Sequence, residues 1–462
     1  MLVALVAALV LAHALAAPAP AMARAANGIV VATWNLAWLM SPATHARWVR
    51  TCARHGWPRA PEPGSPAALE LRGLPYCNVH NGMVFPPERC PAHQQALETR
   101  SRFEPEHPCR VSLDLAEPAA YARKLQALRR VFDDIEAAGV THLALQEVFD
   151  ADAVRAILPA SWDVITTREL DGGDALSIPQ HVGIAFRRDG VRPTRLAAHL
   201  ALADSGDPAR PLRPGLTFEL PVAGVPVRFL VVHLKAGCRS RVIDDPLRRY
   251  DRTDEDKARV YRDCGIFRRQ VPVLEDWIDA RTREGRDYIV IGDFNRALGR
   301  EHPFRHARLD DSDPASPNGN CRDAVTADGF STTRCDGRVH QLLPELNDRQ
   351  PAAVSIWRAD FIVDGKRLRL QHGEYARGSI GDCAVVSRAA FAREGETPRQ
   401  TDLAHDGIDH ILISGSLKKR LRLGRPAMAR IALRTAFAGP LPPDEALPSD
   451  HCPHLLRLVP GG

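Results

Sequence analysis

The chain has 462 residues, of which 45% are hydrophobic, so it can bury a sizeable core as one large α/β domain with insertions or as two or three average domains. Its 61 basic and 56 acidic residues give a formal net charge of +5. This balance does not mark the whole protein as a binder of polyanions, so any basic surface must be local.

The N-terminal segment predicts export. Residues Leu2 to Ala17 are almost entirely Leu, Val and Ala, and the small-x-small triplets Ala21-Met22-Ala23 and Ala23-Arg24-Ala25 follow. This pattern is typical of a signal peptide over residues 1–25, with the protein secreted or periplasmic. Because no positive residue precedes the apolar stretch, a membrane anchor is the alternative, which the shortness of the stretch disfavours. We expect no transmembrane segment in the mature chain.

Ten cysteines in an exported chain predict disulfides, because oxidising compartments favour them. We expect local pairing within three groups of neighbouring cysteines. The groups are Cys52, Cys77, Cys90 and Cys109; Cys238 and Cys264; and Cys321 and Cys335. A structural zinc in the first group is disfavoured, because its spacings contain no C-x-x-C pair.

The first predicted strand, Ile29 to Thr33, ends in Trp34-Asn35. Residues 40–118 then lack helical or alternating periodicity and are rich in Pro, His, Arg and Cys. We interpret them as a long insertion that disulfides tie down, because a structureless loop of this length is unusual in a compact domain. It either roofs a cleft or is a surface elaboration without a part in catalysis.

A helix is predicted over Tyr121 to Ala138, where apolar residues recur at helical spacing until Gly139. The strand Thr141 to Leu145 follows at once and ends in Gln146-Glu147. This alternation of helix and strand is typical of a layered α/β fold. His181 to Arg187 is a further predicted strand.

A hairpin is predicted from Leu216 to Val232, turning at Ala223-Gly224 and ending in His233-Leu234-Lys235. The charged, amphipathic stretch Asp254 to Arg283 predicts a long helix bent at Pro272.

Gly292-Asp293-Phe294-Asn295 follows the apolar strand Tyr288 to Ile291, so a carboxylate and an amide stand at the carboxyl end of a buried strand. Strand alternation places Asp293 and Asn295 on one side. There the carboxylate can accept a proton or bind a cation, and the amide can hold a phosphoryl oxygen.

Strands are also predicted at Trp357 to Ile362 and Leu368 to Gln371, flanking a turn at Asp364-Gly365, whereas residues 309–320 predict a surface loop. The last polar clusters are Asp409-His410, before the strand Ile411 to Ser414, and Ser449-Asp450-His451.

The order of these six polar clusters resembles the endonuclease/exonuclease/phosphatase superfamily, which contains deoxyribonuclease I type nucleases, neutral sphingomyelinases and inositol polyphosphate phosphatases. The resemblance runs from Ile29 to His451. It implies one domain over residues 26–462 and a four-layer α-β-β-α sandwich of two packed mixed sheets, with the cysteine-containing insertion added. A single cluster would be weak evidence, but six in the same order are not expected by chance.

The resemblance also implies a role for each polar residue. Glu147, Asn35 and Asp450 would form the metal site, with Glu147 as the main ligand, Mg²⁺ as the ion and Mn²⁺ or Ca²⁺ as alternatives. Asp409 would orient His451, Asp293 would orient or deprotonate the attacking water, Asn295 would steady the phosphate, and His233 would contact the scissile phosphate. His181 and Lys235 are candidate phosphate contacts, with packing or surface roles as the alternative. Taken singly, each residue could instead cap a turn or form a structural hydrogen bond.

The implied activity is metal-dependent hydrolysis of phosphodiester bonds, with DNA or RNA as the expected substrate and no stable protein partner. The inositol phosphatase branch is disfavoured, because Ile291 stands where that branch has tryptophan and Gly407-Ile408-Asp409-His410 replaces its Cys-Asp-Arg element. A sphingomyelinase-like activity is the first alternative, with Trp38, Trp48 or Trp57 as membrane contacts. An exported binding or effector protein without turnover is the second, because a fold does not dictate its function.

Overall fold

The computed structural model describes most of the predicted layered domain. The described residues are 28–55, 65–75, 77, 118–170, 176–208, 210–238, 243, 254–296, 298, 341–347, 351–363, 366–367, 408–422, 427–430, 449, 451 and 453–458. The signal peptide over 1–25, the loop over 309–320, most of the segment over 40–118 and Asp450 lie outside these residues.

Eight strands form the first sheet. They are β1 (Ile29–Leu39), β2 (His142–Val148), β3 (Trp162–Thr166), β4 (His181–Arg187), β10 (Asp360–Val363), β11 (Lys366–Arg367), β13 (Ala427–Arg430) and β14 (His454–Leu458). Their spatial order is β11-β10-β13-β14-β1-β2-β4-β3. The sheet is mixed, because β1 is parallel to β2 and antiparallel to β14.

Six strands form the second sheet. They are β5 (Thr194–His199), β6 (Gly215–Val222), β7 (Val225–His233), β8 (Tyr288–Asp293), β9 (Ile356–Arg358) and β12 (Asp409–Ser414). Their spatial order is β5-β6-β7-β8-β12-β9. This sheet is also mixed: β8 is parallel to β7 and antiparallel to β12.

Seven α-helices and one 3₁₀ helix accompany the sheets within the described ranges. They are α1 (Pro42–Arg54), α2 (Pro66–Glu70), α3 (Pro118–Ala137), α4 (Ala151–Arg155), the 3₁₀ helix Leu200–Ala203, α5 (Asp254–Arg283), α6 (Leu342–Leu346) and α7 (Gly415–Arg420). In the part of the chain that is described, no helix combines the length and apolar character needed to cross a membrane.

Three apolar clusters show how the layers stack. The first includes Trp48 of α1 and Phe132 of α3 and covers the outer face of the first sheet. The second lies between the sheets, where Val31 of β1 and Ile291 of β8 are both buried. The third includes Phe267 of α5 and covers the outer face of the second sheet. The predicted arrangement of two mixed sheets between helical layers is therefore confirmed.

The two principal predicted helices form as α3 and α5, and α5 has the predicted bounds. The predicted hairpin forms between β6 and β7, where Ala223 (φ 51°) and Gly224 (φ 77°) are both left-handed, as a two-residue type I′ turn requires. Disulfides join Cys52 to Cys77 and Cys238 to Cys264, so local pairing is confirmed for these two and structural zinc is excluded at Cys52 and Cys77. The other predicted pairings lie outside the described residues.

The expectation that residues 40–118 lack helical structure is wrong at their beginning. Helix α1 starts there because the Ser41 side chain accepts a hydrogen bond from the Thr44 amide and Pro42 occupies the first turn. Its Trp48 side chain is fully buried in the outer core of the first sheet. This part of the segment therefore belongs to the helical layer.

The prediction of one strand over Trp357 to Ile362 is also wrong. The chain forms β9 in the second sheet and β10 in the first, so it crosses between the sheets near Ala359. The following hairpin is confirmed, because Val363 pairs with Lys366. The predicted continuation at Leu368 to Gln371 lies outside the described residues.

The burial of His142 predicts that the fold is less stable in acid. Its ring is buried between the Thr141 hydroxyl (2.9 Å) and the Val191 carbonyl oxygen (2.8 Å), and burial lowers its pKa from 6.5 to about 4. The unfolded chain therefore binds a proton at His142 more tightly than the folded protein does. The stability that the neutral ring contributes is fully present above pH 6.5 and is lost as the pH falls towards 4. The loss from this group is about 3 kcal/mol.

We therefore expect the free energy of unfolding of His142→Gln to fall less between neutral and acid pH than that of the wild type. Urea unfolding at pH 7.5 and 4.5 would measure the free energy of unfolding at both values. The difference between the two should be smaller in the variant by about 2 to 3 kcal/mol. An unchanged difference would contradict the assignment.

Candidate active site

Four polar side chains reach the gap between the sheets because each continues the alternation of its strand. Ile289 and Ile291 of β8 belong to the apolar cluster between the sheets, so Asp293 points into the same gap. The same period of two applies to Asn35 in β1, His233 in β7 and Asp409 in β12. All four side chains are almost completely buried. The predicted residues thus meet at one edge of the sandwich.

Glu147 reaches this edge by a different route. Leu143 and Leu145 of β2 belong to the outer cluster, so alternation alone would turn Glu147 towards the helices. Its backbone is instead left-handed, with φ 58°, and the carboxylate turns inward. A non-glycine residue in this conformation costs roughly 1–3 kcal/mol and persists only where its surroundings hold it. Here the Trp38 amide donates to Glu147 Oε2 at 3.1 Å.

Asn35 joins the two carboxylates. Its Nδ2 donates to Glu147 Oε1 and to Asp293 Oδ2, both at 3.1 Å. The Ala37 amide donates to Asn35 Oδ1 at 2.9 Å, which fixes the orientation of the side-chain amide. The amide nitrogen therefore faces the carboxylates, so Asn35 positions Glu147 and Asp293. The role of Asn35 as a metal ligand stays a prediction.

A histidine and a carboxylate pair beside this group. His451 Nδ1 lies 2.7 Å from Asp409 Oδ2, and His451 Nε2 lies 4.0 Å from Asp293 Oδ2. Because the carboxylate accepts the Nδ1 proton, the neutral ring presents the lone pair of Nε2 to Asp293 and to the gap. The Trp34 indole donates to the His451 carbonyl oxygen at 3.0 Å and ties this loop to β1.

Asn295 lies on the same side as Asp293, although a turn and not strand alternation puts it there. Its backbone is left-handed (φ 51°), and its backbone amide donates a hydrogen bond to Asp293 Oδ1 at 2.6 Å. Its Nδ2 lies 2.9 Å from the Leu234 carbonyl oxygen and 3.3 Å from Asp293 Oδ2. Asn295 is thereby fixed between the ends of β7 and β8.

Burial controls the protonation of the site. It raises the pKa of Asp293 to about 7, and the negative charges of Asp409 and Glu147 act in the same direction while His451 opposes them. Burial also lowers the pKa of His233 well below its usual value, and the positive charge of Arg213 adds to this effect. His233 Nε2 lies 3.5 Å from Asp293 Oδ2 and 3.7 Å from Glu147 Oε1.

The donor set fits a hard divalent cation. Carboxylate oxygens of Glu147 and Asp293 approach the same amide nitrogen, and ligand atoms of Asp293, Asp409 and His451 lie within 4.8 Å of one another. Mg²⁺ prefers oxygen ligands and keeps several waters, so one or two carboxylates are enough to hold it. Burial is the main cause of the raised pKa of Asp293, and the negative charges of Asp409 and Glu147, which a cation would offset, add to it.

The two candidate substrate contacts lie outside this group of carboxylates. Lys235 forms an ion pair with Asp263 of α5 at 3.0 Å and donates to the Ala236 carbonyl oxygen at 2.7 Å. His181 is buried, its Nδ1 lies 3.1 Å from the Thr167 hydroxyl, and burial lowers its pKa to about 3. Their substrate roles, like the metal role of Asp450, stay predictions.

Arg213 is a site residue that the sequence analysis did not single out. Its guanidinium donates to the backbone carbonyl oxygens of Leu234 (2.6 Å) and His233 (3.3 Å) and to Gln180 Oε1 (3.3 Å). Its positive charge interacts with Glu147 and Asp293. Its position in the sequence could have indicated this role, because Arg213 lies just before β6, at the border of a strand like the other polar clusters.

Gly292 is required beside Asp293. Its φ is 139°, and a Cβ at this position would lie 2.1 Å from the Val232 carbonyl oxygen. We expect Gly292→Ala to lower the free energy of unfolding by about 3 kcal/mol or more, because β7 and β8 would have to separate. Denaturant unfolding would measure the loss.

Gly265 provides a matched control for this substitution. It lies inside α5, where an added Cβ meets nothing within 4 Å. Gly265→Ala should therefore raise stability by about 0.5–1 kcal/mol. Equal stability of Gly292→Ala and the wild type would contradict the described approach of the strands.

No protein-family model and no curated protein matches the chain. Solved structures that resemble it in part include TDP2 from Caenorhabditis elegans (14% identity, TM-score 0.32, covering 72% of this chain and 69% of that chain). The 3'-5' exonuclease NExo from Neisseria meningitidis is 19% identical, with a TM-score of 0.34 over 73% of this chain and 96% of the other. The mannosyl-6-phosphatase Bt3783 from Bacteroides thetaiotaomicron is 12% identical, with a TM-score of 0.35 over 73% and 93%. At these scores the likenesses say nothing about function.

Proposed function

We propose that the chain is a divalent-metal-dependent phosphodiesterase of the endonuclease/exonuclease/phosphatase type, with nucleic acid as its substrate. One observation carries the proposal: the Asp409–His451 pair faces Asp293, which Asn35 links directly to Glu147. Carboxylates, an oriented imidazole and amide donors are the groups that water attack on a phosphodiester requires.

In the proposed reaction, Asp293 or His451 accepts the proton of the attacking water. Asp293 Oδ2 lies 4.0 Å from His451 Nε2, so a water between the two groups could pass its proton to either of them. His451 can accept the proton through Nε2, because Asp409 holds its Nδ1 proton at 2.7 Å.

Glu147 would hold the cation, which when bound would neutralise charge on the phosphate and activate water. Asn35 keeps the carboxylate oxygens of Glu147 and Asp293 in place. His233 and Asn295 lie at the neighbouring strand ends, where His233 can donate to a phosphate oxygen and Asn295 can do so by exchanging its 3.3 Å contact with Asp293. Mg²⁺ is the proposed ion, with Mn²⁺ and Ca²⁺ as alternatives, because all the candidate oxygen donors are hard.

The sphingomyelinase-like alternative loses part of its support. Of the three tryptophans considered as membrane contacts, Trp48 is fully buried and its indole donates to the Pro75 carbonyl oxygen at 2.9 Å. Trp38 is partly buried against the apolar core, and Trp57 lies outside the described residues. We retain the proposal that the protein is exported, which the two disulfides support.

The test is hydrolysis by the purified, oxidised protein of plasmid DNA, sphingomyelin and bis-p-nitrophenyl phosphate, each with Mg²⁺ and with a chelator. We expect Mg²⁺-dependent cleavage of DNA and of bis-p-nitrophenyl phosphate. Cleavage of sphingomyelin alone would transfer the assignment to a phospholipase. No turnover with any substrate or metal would favour a binding or effector protein.

A further inference from the structure

A second cleft lies on the outer side of the second sheet, between the edge strand β5 and helix α5. Its volume is about 620 Å³, within the range of sites for small organic ligands. The floor is apolar and is formed by small side chains of both elements, including Ala198, Val273 and Ala280. Arg195, Arg228 and Arg281 line the cleft as well.

Positive charge is in excess at this cleft. The Nε atoms of Arg228 and Arg195 lie 3.3 and 3.9 Å from the carboxylate of Glu219, and Arg286 Nη1 lies 3.5 Å from it. Arg281 pairs with Glu284 at 2.7 Å, and Arg286 also lies 3.5 Å from Glu284. Four guanidinium groups therefore share the two carboxylates of Glu219 and Glu284. A further anion would be attracted to this cluster, because guanidinium groups bind phosphate through paired donors.

The backbone of β5 is distorted where it supplies one of these groups. Arg195 is left-handed, with φ 52°, and the register between β5 and β6 shifts between Thr194 and Ala197. Such a bulge in an edge strand redirects a side chain, and the left-handed conformation has an energetic cost. The distortion directs Arg195 towards Glu219 and the cleft, although its side chain is 63% exposed and could otherwise extend into solvent.

The cleft is separate from the candidate active site. Arg228 pairs with Tyr288 at one end of β7 and β8, whereas His233 pairs with Asp293 at the other end. Five residues of extended strand separate the two positions, which corresponds to about 17 Å. An occupant of the cleft would therefore not contact the catalytic carboxylates.

We propose that this cleft binds an organic phosphate monoester, with the phosphate at the cluster of Arg195 and Arg228 and the apolar body on the floor beside α5. The dianionic headgroup matches the excess of guanidinium groups, and the small side chains leave room for a ring or a short alkyl chain. Asp276 of α5 also lines the cleft, and its exposed carboxylate would favour the phosphate on the side of the strands, beside Arg195 of β5 and Arg228 of β7.

The test uses phenyl phosphate as the probe and a chelator in the buffer, so that cation-dependent binding at the active site is suppressed. Calorimetry should give a dissociation constant below about 1 mM. Hydrogen exchange should show protection at residues 194–199 and 273–281. Inorganic phosphate and phenol, which each carry one half of the probe, should bind more weakly.

Arg195→Gln and Arg228→Gln should each weaken phenyl phosphate binding about tenfold or more, because each removes a charged donor. Arg192→Gln is the matched control, since Arg192 is exposed and does not line the cleft. The proposal is overturned if phenyl phosphate does not bind, if protection appears only at the active-site strand ends, or if both cleft variants bind like the control. Equal affinity for inorganic phosphate would overturn the role of the apolar floor.

Discussion

Glu147→Ala should reduce Mg²⁺-dependent cleavage of bis-p-nitrophenyl phosphate by about 10³-fold or more while the protein stays folded. A cation bound near the transferred phosphate is worth several kcal/mol of transition-state stabilisation. Glu147 supplies the carboxylate at the end of β2, and its removal also leaves Asn35 Nδ2 with one carboxylate instead of two. Initial rates over a range of Mg²⁺ concentrations would measure the effect.

Two controls separate the chemistry from the fold in this experiment. Asp152→Ala removes an exposed carboxylate on the neighbouring helix α4 and should leave the rate unchanged. Glu147→Gly should be as inactive as Glu147→Ala but more stable by about 1 kcal/mol, because glycine adopts the left-handed backbone without strain. Full activity of Glu147→Ala would refute the metal assignment.

Asp409→Asn should reduce the rate by about 10²- to 10⁴-fold with little change in KM. The substitution keeps the shape of the side chain but removes the anion that accepts the His451 Nδ1 proton at 2.7 Å. Without that anion, the ring loses both its tautomer and the stabilisation of its protonated form. The measurement is kcat and KM for bis-p-nitrophenyl phosphate from pH 5.5 to 9.

A double-mutant cycle tests whether Asp409 acts through His451. His451→Ala should be at least as damaging as Asp409→Asn, and the double variant should be no slower than His451→Ala alone. Multiplied losses in the double variant would mean that the two residues act independently. That result would contradict the inferred pair even if each single variant were slow.

Strand ends were the part of the site that could be predicted from the sequence. Apolar runs identify buried strands, and the period of two fixes which polar residue at the end of a run faces the gap. Asp293 and Asp409 follow this rule, because Ile291 and Ile411 belong to the cluster between the sheets. The convergence of these strand ends required the family resemblance, since pairing across the sandwich is not local information.

The remaining features depend on backbone geometry that residue type does not specify. Alternation would have turned Glu147 away from the site, and only its left-handed conformation brings it inward. The orientation of the Asn35 side-chain amide is set by a hydrogen bond from the Ala37 backbone amide, which no sequence pattern predicts. Similarly, helix α1 was missed because Pro, His and Arg mask its apolar stripe, although Ser41-Pro42 is a recognisable helix start.

Left-handed conformations at residues other than glycine concentrate beside the carboxylates of the candidate active site, at Ala37, Trp38, Glu147 and Asn295. At Ala37 and Glu147, where little packing would be lost, a glycine would relieve this strain at a small gain in stability. A laboratory selection for heat resistance alone would therefore drift towards glycine at this edge of the molecule. The surviving variants would melt later and turn over more slowly, so thermal robustness and catalytic competence would be selected in opposite directions.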